Sequence, residues 1–95
     1  CDNAPAAEAA SEAKLSWQEQ KEEKARERKR QNDLKKTEER ITSLEERDGQ
    51  IDELMTLEEV YTNSIRCQEL AREKADIAAE LEGLYEKWEA LASQE

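Results

Sequence analysis

Mostly apolar residues recur in alternating steps of three and four along two stretches, from Leu34 to Met55 and from Cys67 to Leu91. This spacing is typical of helices that bury one seam against a partner helix. The seam positions are Leu34, Thr37, Ile41, Leu44, Asp48, Ile51 and Met55, then Cys67, Leu70, Lys74, Ile77, Leu81, Leu84, Trp88 and Leu91. Because only a short segment connects the helices, they are expected to pack antiparallel. The predicted fold is all-α: an antiparallel two-helix coiled-coil hairpin with a short helical turn at the tip.

The start of the first helix is predicted from a change in composition. Residues 1–13 are rich in Ala, contain the only Pro and show no period, which predicts a flexible linker. Ser16 and Glu19 have the spacing of a capping box, so the helix is expected to begin near Trp17. The predicted segments are a linker at 1–13 and a coiled-coil domain at 14–95, with helices at about 17–55 and 64–92 and a tip at about 56–63.

Short polar motifs predict the structure of the region between the two helices. Thr56 and Glu59 repeat the capping-box spacing and predict one short helical turn, after which Asn63 is expected to cap the second helix. Gly49 follows Asp48 inside the first seam, and this Asp-Gly pair favours a turn. Since the seam continues across it, we expect the first helix to continue with a kink at this point.

The hairpin also has a predicted register. Pairing Met55 with Cys67 across the tip gives facing residues whose numbers add up to about 122. Asp48 and Lys74, the only charged seam residues, then face each other. Opposite charges of this kind fix the register in coiled coils. The alternative is that the pairing is a coincidence of the spacing.

Composition excludes several classes of protein. The 95 residues include 25 acidic and 15 basic side chains, giving a formal net charge of −10, with two Gly, one Pro and no His. So few turn-forming residues argue against a β fold. Without His, and with the two Cys 66 positions apart, neither a zinc site nor a general base is expected. We therefore predict no enzyme activity, no metal and no cofactor in this chain, and no apolar run long enough to span a membrane.

The charges are distributed unevenly. Residues 14–40 hold 10 basic and 7 acidic side chains, whereas residues 41–95 hold 5 and 15. The candidate nucleic-acid contacts are Lys21, Lys24, Arg26, Arg28, Lys29, Arg30, Lys35 and Lys36. Helical spacing distributes this set around the helix as a collar, and such cations can displace the counterions of RNA or DNA. The alternative is a solvated helix stabilised by pairs four residues apart.

The chain begins at Cys1 rather than at a Met, which predicts a fragment of a longer protein. The alternative is a processed lipoprotein, because Cys1 followed by a polar, Ala-rich stretch is also how such a tethered rod begins.

Three runs together resemble the C-terminal domain of ABC-F ATPases, over residues 14–92. They are Lys14-Leu15-Ser16-Trp17, Leu57-Glu58-Glu59-Val60-Tyr61-Thr62-Asn63 and Leu84-Tyr85-Glu86-Lys87-Trp88-Glu89-Ala90-Leu91. The resemblance implies a bacterial, cytoplasmic parent protein in which this domain follows two ATP-binding cassettes that use ATP and Mg. It also implies action on the ribosome and contact with RNA or DNA.

The function predicted from the sequence is a non-catalytic accessory domain that positions such a parent on nucleic acid through its basic segment. A structural or protein-interaction coiled coil without nucleic-acid binding is the alternative, with self-association through residues 17–33. Salt dependence separates the two, because only phosphate contacts weaken steeply with ionic strength.

Overall fold

Three helices make up the fold in the computed structural model, which describes the backbone of residues 3–94 and the side chains of residues 11–94. They are α1 (Asn3–Leu54), α2 (Glu58–Tyr61) and α3 (Ser64–Ala92), and no strand occurs among residues 3–94. The chain divides into two units, residues 1–32 and residues 33–95. The predicted all-α class is confirmed. Cys1, on which the fragment and lipoprotein hypotheses depend, lies outside the described residues.

Helix α1 begins at Asn3, well before the start predicted near Trp17. The Ala residues that suggested a linker are also the strongest helix formers, and Pro5 lies in the first turn, where a missing N–H breaks no bond within the helix. Ser16 is therefore inside the helix, and the predicted capping box there is wrong. Whether residues 1–13 act as a linker stays a prediction.

Contacts between α1 and α3 show that the second unit is an antiparallel hairpin. Glu38 accepts a hydrogen bond from Trp88 Nε1 at 2.9 Å, and Arg40 Nη2 donates to Glu80 Oε1 at 2.9 Å. Nearer the tip, Lys74 Nζ donates to Asp48 Oδ1 at 2.9 Å. Partner numbers therefore fall along α3 as they rise along α1, as a hairpin requires.

The core of the hairpin is a narrow line of side chains along the two predicted seams. Its buried apolar members are Leu44, Ile51, Val60, Leu70 and Ile77, with Leu54, Met55, Leu81 and Leu84 packed against them. Thr37 is the buried polar seam residue, and its hydroxyl donates to the backbone carbonyl of Asp33 at 2.7 Å. Trp88 is 38% exposed, so the burial of this seam decreases toward the end of α3.

The tip closes through backbone and cap contacts. Asn63 accepts a hydrogen bond from the Arg66 amide at 3.1 Å, which confirms it as the cap of α3. Leu57, not Thr56, precedes α2, and the Thr56 hydroxyl instead donates to the Glu53 carbonyl, so the capping box predicted at Thr56 is wrong. The half-buried Cys67 thiol donates to the Val60 carbonyl at 3.2 Å. This contact ties the first turn of α3 to α2.

Replacing Ile51 with Ala should destabilise the hairpin strongly. Ile51 is fully buried, so the change removes packed apolar volume and is expected to lower the free energy of unfolding by about 2–5 kcal/mol. Ile65→Ala is the matched control, because Ile65 is 70% exposed and its truncation should change stability by less than about 0.5 kcal/mol. Urea denaturation followed by circular dichroism measures both, and equal effects would contradict the assigned seam.

Replacing Gly49 with Ala should stabilise the hairpin. The glycine lies inside α1 without a positive φ, and an added Cβ would meet no atom within 4 Å. Ala is expected to raise the free energy of unfolding by about 1 kcal/mol through its helix propensity. The same denaturation assay tests it, with Gly83→Ala as a parallel case in α3. A loss of stability would mean that Gly49 has a structural role that the helix geometry does not show.

Candidate nucleic-acid interface

Asp48 and Lys74 are brought together as the predicted register places them. Lys74 Nζ lies 2.9 Å from Asp48 Oδ1 and 2.7 Å from Asp52 Oδ1. Hydrogen bonds to Asp52 and then to Asp48 raise the pKa of Lys74. The lysine therefore bridges two carboxylates one turn apart, and Asp52 is a partner that the sequence analysis missed.

Two further ion pairs flank the seam, and sequence analysis did not predict them. Arg47 binds Glu73 through Nε and Nη2, and Arg40 binds Glu80 in the same two-point manner. Each guanidinium hydrogen-bonds its carboxylate and so lowers the pKa of Glu73 and of Glu80. All four residues directly precede a seam residue. This position beside the seam was the sequence signal that could have predicted the two ion pairs. Both arginines are therefore already bound to carboxylates within the hairpin.

Arg30 is also bound by a carboxylate, whereas no predicted cation of residues 21–29 forms an ion pair with a side chain described in residues 11–94. Its Nε and Nη2 donate to Glu27 at 2.9 and 2.6 Å, and its side chain is only 10% exposed. Gln31 donates to the same carboxylate, and the pKa of Glu27 is lowered chiefly by the Arg30 hydrogen bond. Arg30 is therefore poorly placed to contact phosphate.

Four cations of residues 11–32 share one face of α1. Lys14, Lys21 and Arg28 are seven residues apart, and Lys24 and Trp17 lie between them in steps of three and four. At 100° per residue these five side chains fall within about 80° of the helix circumference. We call this set the basic stripe. The predicted collar includes Lys21, Lys24 and Arg28 of this set but not Lys14 or Trp17.

Acidic side chains of the same unit lie away from the basic stripe. Glu19, Glu22, Glu23 and Glu27 are each turned roughly 60° or more from its edge. All stripe residues are exposed, and Lys14, Lys24 and Arg28 form no ion pair with any side chain described in residues 11–94. The stripe thus presents three cations that form no ion pair with the carboxylates described in residues 11–94.

Apart from Arg30, the remaining predicted cations are not among the residues that define the basic stripe. In the first unit, Arg26 and Lys29 are exposed on faces outside the stripe. In the second unit, Lys35 and Lys36 are exposed on α1. None of these four forms an ion pair within residues 11–94.

Trp17 is the aromatic member of the basic stripe. Its side chain is 61% exposed, and Lys21 Nζ lies 5.2 Å from the centre of its ring. This distance allows a cation–π contact, in which the ammonium group lies over one face of the ring. The sequence named both residues as candidates but did not predict their contact; the heptad interval from Lys14 to Lys21, with Trp17 between them, was the signal for it.

The fold and the charge pattern define a class: a helical hairpin domain with an exposed basic helical segment. Among the described side chains, no group of three His, Cys, Asp or Glu could hold a metal ion. The chain belongs to the ABC transporter C-terminal domain family, whose model matches residues 24–93. No curated protein and no solved structure matches the chain. Within residues 3–94, no helix is both long enough and apolar enough to cross a membrane.

Replacing Glu80 with Gln should reduce stability in a pH-dependent manner. The bond from Arg40 lowers the pKa of Glu80, so the pair stabilises the folded state above the unfolded pKa and loses this effect as pH falls through the folded pKa. At pH 7 the melting temperature of Glu80→Gln should be lower than that of the wild type. As pH falls through the folded pKa of Glu80 its carboxylate is protonated, so the melting temperatures of the two proteins should converge.

Glu82→Gln is the matched control for this comparison. Glu82 is exposed on the same helix, forms no ion pair within residues 11–94, and its replacement changes the net charge equally. Equal losses for both variants at pH 7 would show that net charge, not the Arg40 contact, sets the effect.

Proposed function

We propose that this chain is the non-catalytic C-terminal accessory domain of an ABC-F ATPase, and that its basic segment contacts RNA or DNA. In this proposal the cassettes of the same parent bind ATP and Mg and hydrolyse ATP in the cytoplasm. The domain helps to position the parent on nucleic acid, including the ribosome. Family membership supports the parent class, and the resemblance of the chain to ABC-F domains supports the ribosomal setting. The observation that supports nucleic-acid contact is the basic stripe.

The length of the basic stripe suits a phosphate backbone. From Lys14 to Arg28 the helix rises by about 21 Å at 1.5 Å per residue. Each strand of a duplex carries one phosphate per roughly 3.4 Å of axis but winds around that axis, so only some of the phosphates within this distance can face a straight helix. Four exposed cations along one face can therefore contact more than one phosphate at once, without reading sequence.

The charges of the hairpin favour the same assignment. Its strongly acidic composition repels a polyanion. Arg40, Arg47 and Lys74 are already bound to carboxylates. Contact with nucleic acid is therefore expected through the first unit, at the basic stripe, and not through the α1–α3 hairpin.

The salt dependence of binding tests this assignment. The 95-residue chain should bind a labelled duplex with an affinity that falls as salt rises. Lys24→Gln combined with Arg28→Gln should weaken binding and reduce the slope of log K against log salt by about 1.8, as expected for two lost phosphate contacts. Fluorescence anisotropy across a salt series measures both quantities.

Two double variants with the same charge change serve as controls. Arg72 and Lys87 are exposed cations of α3, and changing both to Gln should leave the slope nearly unchanged. Changing Arg26 and Lys29 to Gln should have a smaller effect than the stripe variant, because these residues lie on other faces. Equal effects of all three variants would mean that net charge alone matters.

A structural or protein-interaction role predicts a different result. The wild-type chain would then fail to bind nucleic acid even at low salt, and sedimentation would show self-association. That outcome would overturn the proposed nucleic-acid contact.

A further inference from the structure

We propose that Trp17 makes the basic stripe selective for single-stranded nucleic acid, by stacking on an unpaired base while the flanking lysines contact its phosphates. This inference rests on the proposed nucleic-acid contact and adds a strand preference to it. The supporting observations are the exposure of Trp17, its contact with Lys21 and its place within the stripe.

Trp17 is not accounted for by packing. Its side chain is 61% exposed, and every side chain described between residues 11 and 29 is exposed as well. The apolar core lies in the other unit, between Leu44 and Ile77. An indole on a solvated helix surface therefore presents most of its flat ring to solvent, where an incoming ring system can reach it.

The basic surroundings determine which ring system fits. Lys14 precedes Trp17 by one helical turn, and Lys21 follows by one turn, about 4.5 and 6 Å along the axis. Lys21 Nζ lies 5.2 Å from the ring centre. Because Lys21 lies over one face of the indole, a base would stack on the other face, with cations before and after it along the helix to contact the phosphates that link it to its neighbours. Aromatic rings combined with backbone-tracking cations are typical of single-strand binding surfaces.

A duplex cannot use the indole in the same way. Its bases are stacked on one another and paired, so the exposed ring of Trp17 would face the sugar-phosphate backbone. Binding of a duplex then depends on the cations alone, whereas binding of a single strand depends on the cations and on stacking. The two ligands should therefore respond differently to the loss of the indole.

Trp17→Ala tests the preference in the whole chain. The probes are a labelled oligodeoxythymidine of about 12 nucleotides, within the usual site size, and a duplex of the same length. The variant should bind the oligodeoxythymidine about 5- to 100-fold more weakly than the wild type, with the duplex affinity unchanged. Trp17→Phe, which keeps an aromatic face, should retain most of the single-strand affinity.

Leu15→Ala is the matched control, because Leu15 is exposed on α1 but lies outside the stripe. It should leave both affinities unchanged. Ala also favours the helix more than Trp does, so folding is not expected to limit the Trp17→Ala test, and circular dichroism checks this.

A second readout follows the indole directly. The chain has two tryptophans, so Trp88→Phe leaves Trp17 as the only one. Its fluorescence should be quenched when oligodeoxythymidine is added and should change little with the duplex. A residue with only a structural role would not distinguish the two ligands.

The outcomes separate this inference from the proposed function. Salt-sensitive binding that depends on Lys24 and Arg28 but is unaffected by Trp17→Ala would overturn the inference and leave the nucleic-acid contact intact. Equal losses for single strand and duplex in Trp17→Ala would also overturn the strand preference. Absence of binding to either ligand at low salt would overturn both.

Discussion

The narrow apolar seam between α1 and α3 is the interaction on which the rest of the hairpin depends. Its buried members come from only a few positions, and Ile51 and Leu70 are the most completely enclosed of them. A register shift by one residue would expose these side chains to solvent. Because the core is so small, the hairpin would not stay folded after losing this buried apolar area. The seam therefore specifies which residues of the two helices can face each other, and all cross-helix contacts follow from it.

The ion pairs beside the seam are consequences of that register. Arg47 and Glu73 meet only because the seam residues that follow them, Asp48 and Lys74, are opposite each other. Pairs as exposed as these contribute little to stability in water. They favour the native register over shifted registers, because a shifted hairpin would separate Lys74 from both of its aspartates and bring like charges close together.

The sequence predicted the parts of this structure that depend on repeated spacing. The seams, the antiparallel pairing and the Asn63 cap are long or chemically specific signals. The start of α1 was missed because Ala-rich segments suit both linkers and helices, and local spacing alone cannot choose between them. The Thr56 cap failed because its hydroxyl also has the Glu53 carbonyl within reach. Lys14 was not among the predicted contacts, because the predicted helix start near Trp17 left this residue outside the helix.

The basic stripe places like charges close together and so destabilises the helix of the free chain. This cost is an argument for a functional role of the stripe. Lys21 and Lys24 are three residues apart and Lys24 and Arg28 four, so like charges neighbour each other along the helix. Such pairs destabilise a helix, whereas exchanging one of them with a glutamate from the opposite face would create favourable pairs. Sequences that conflict with local stability do so most often at functional sites. A polyanion along this face would convert the repulsion into attraction.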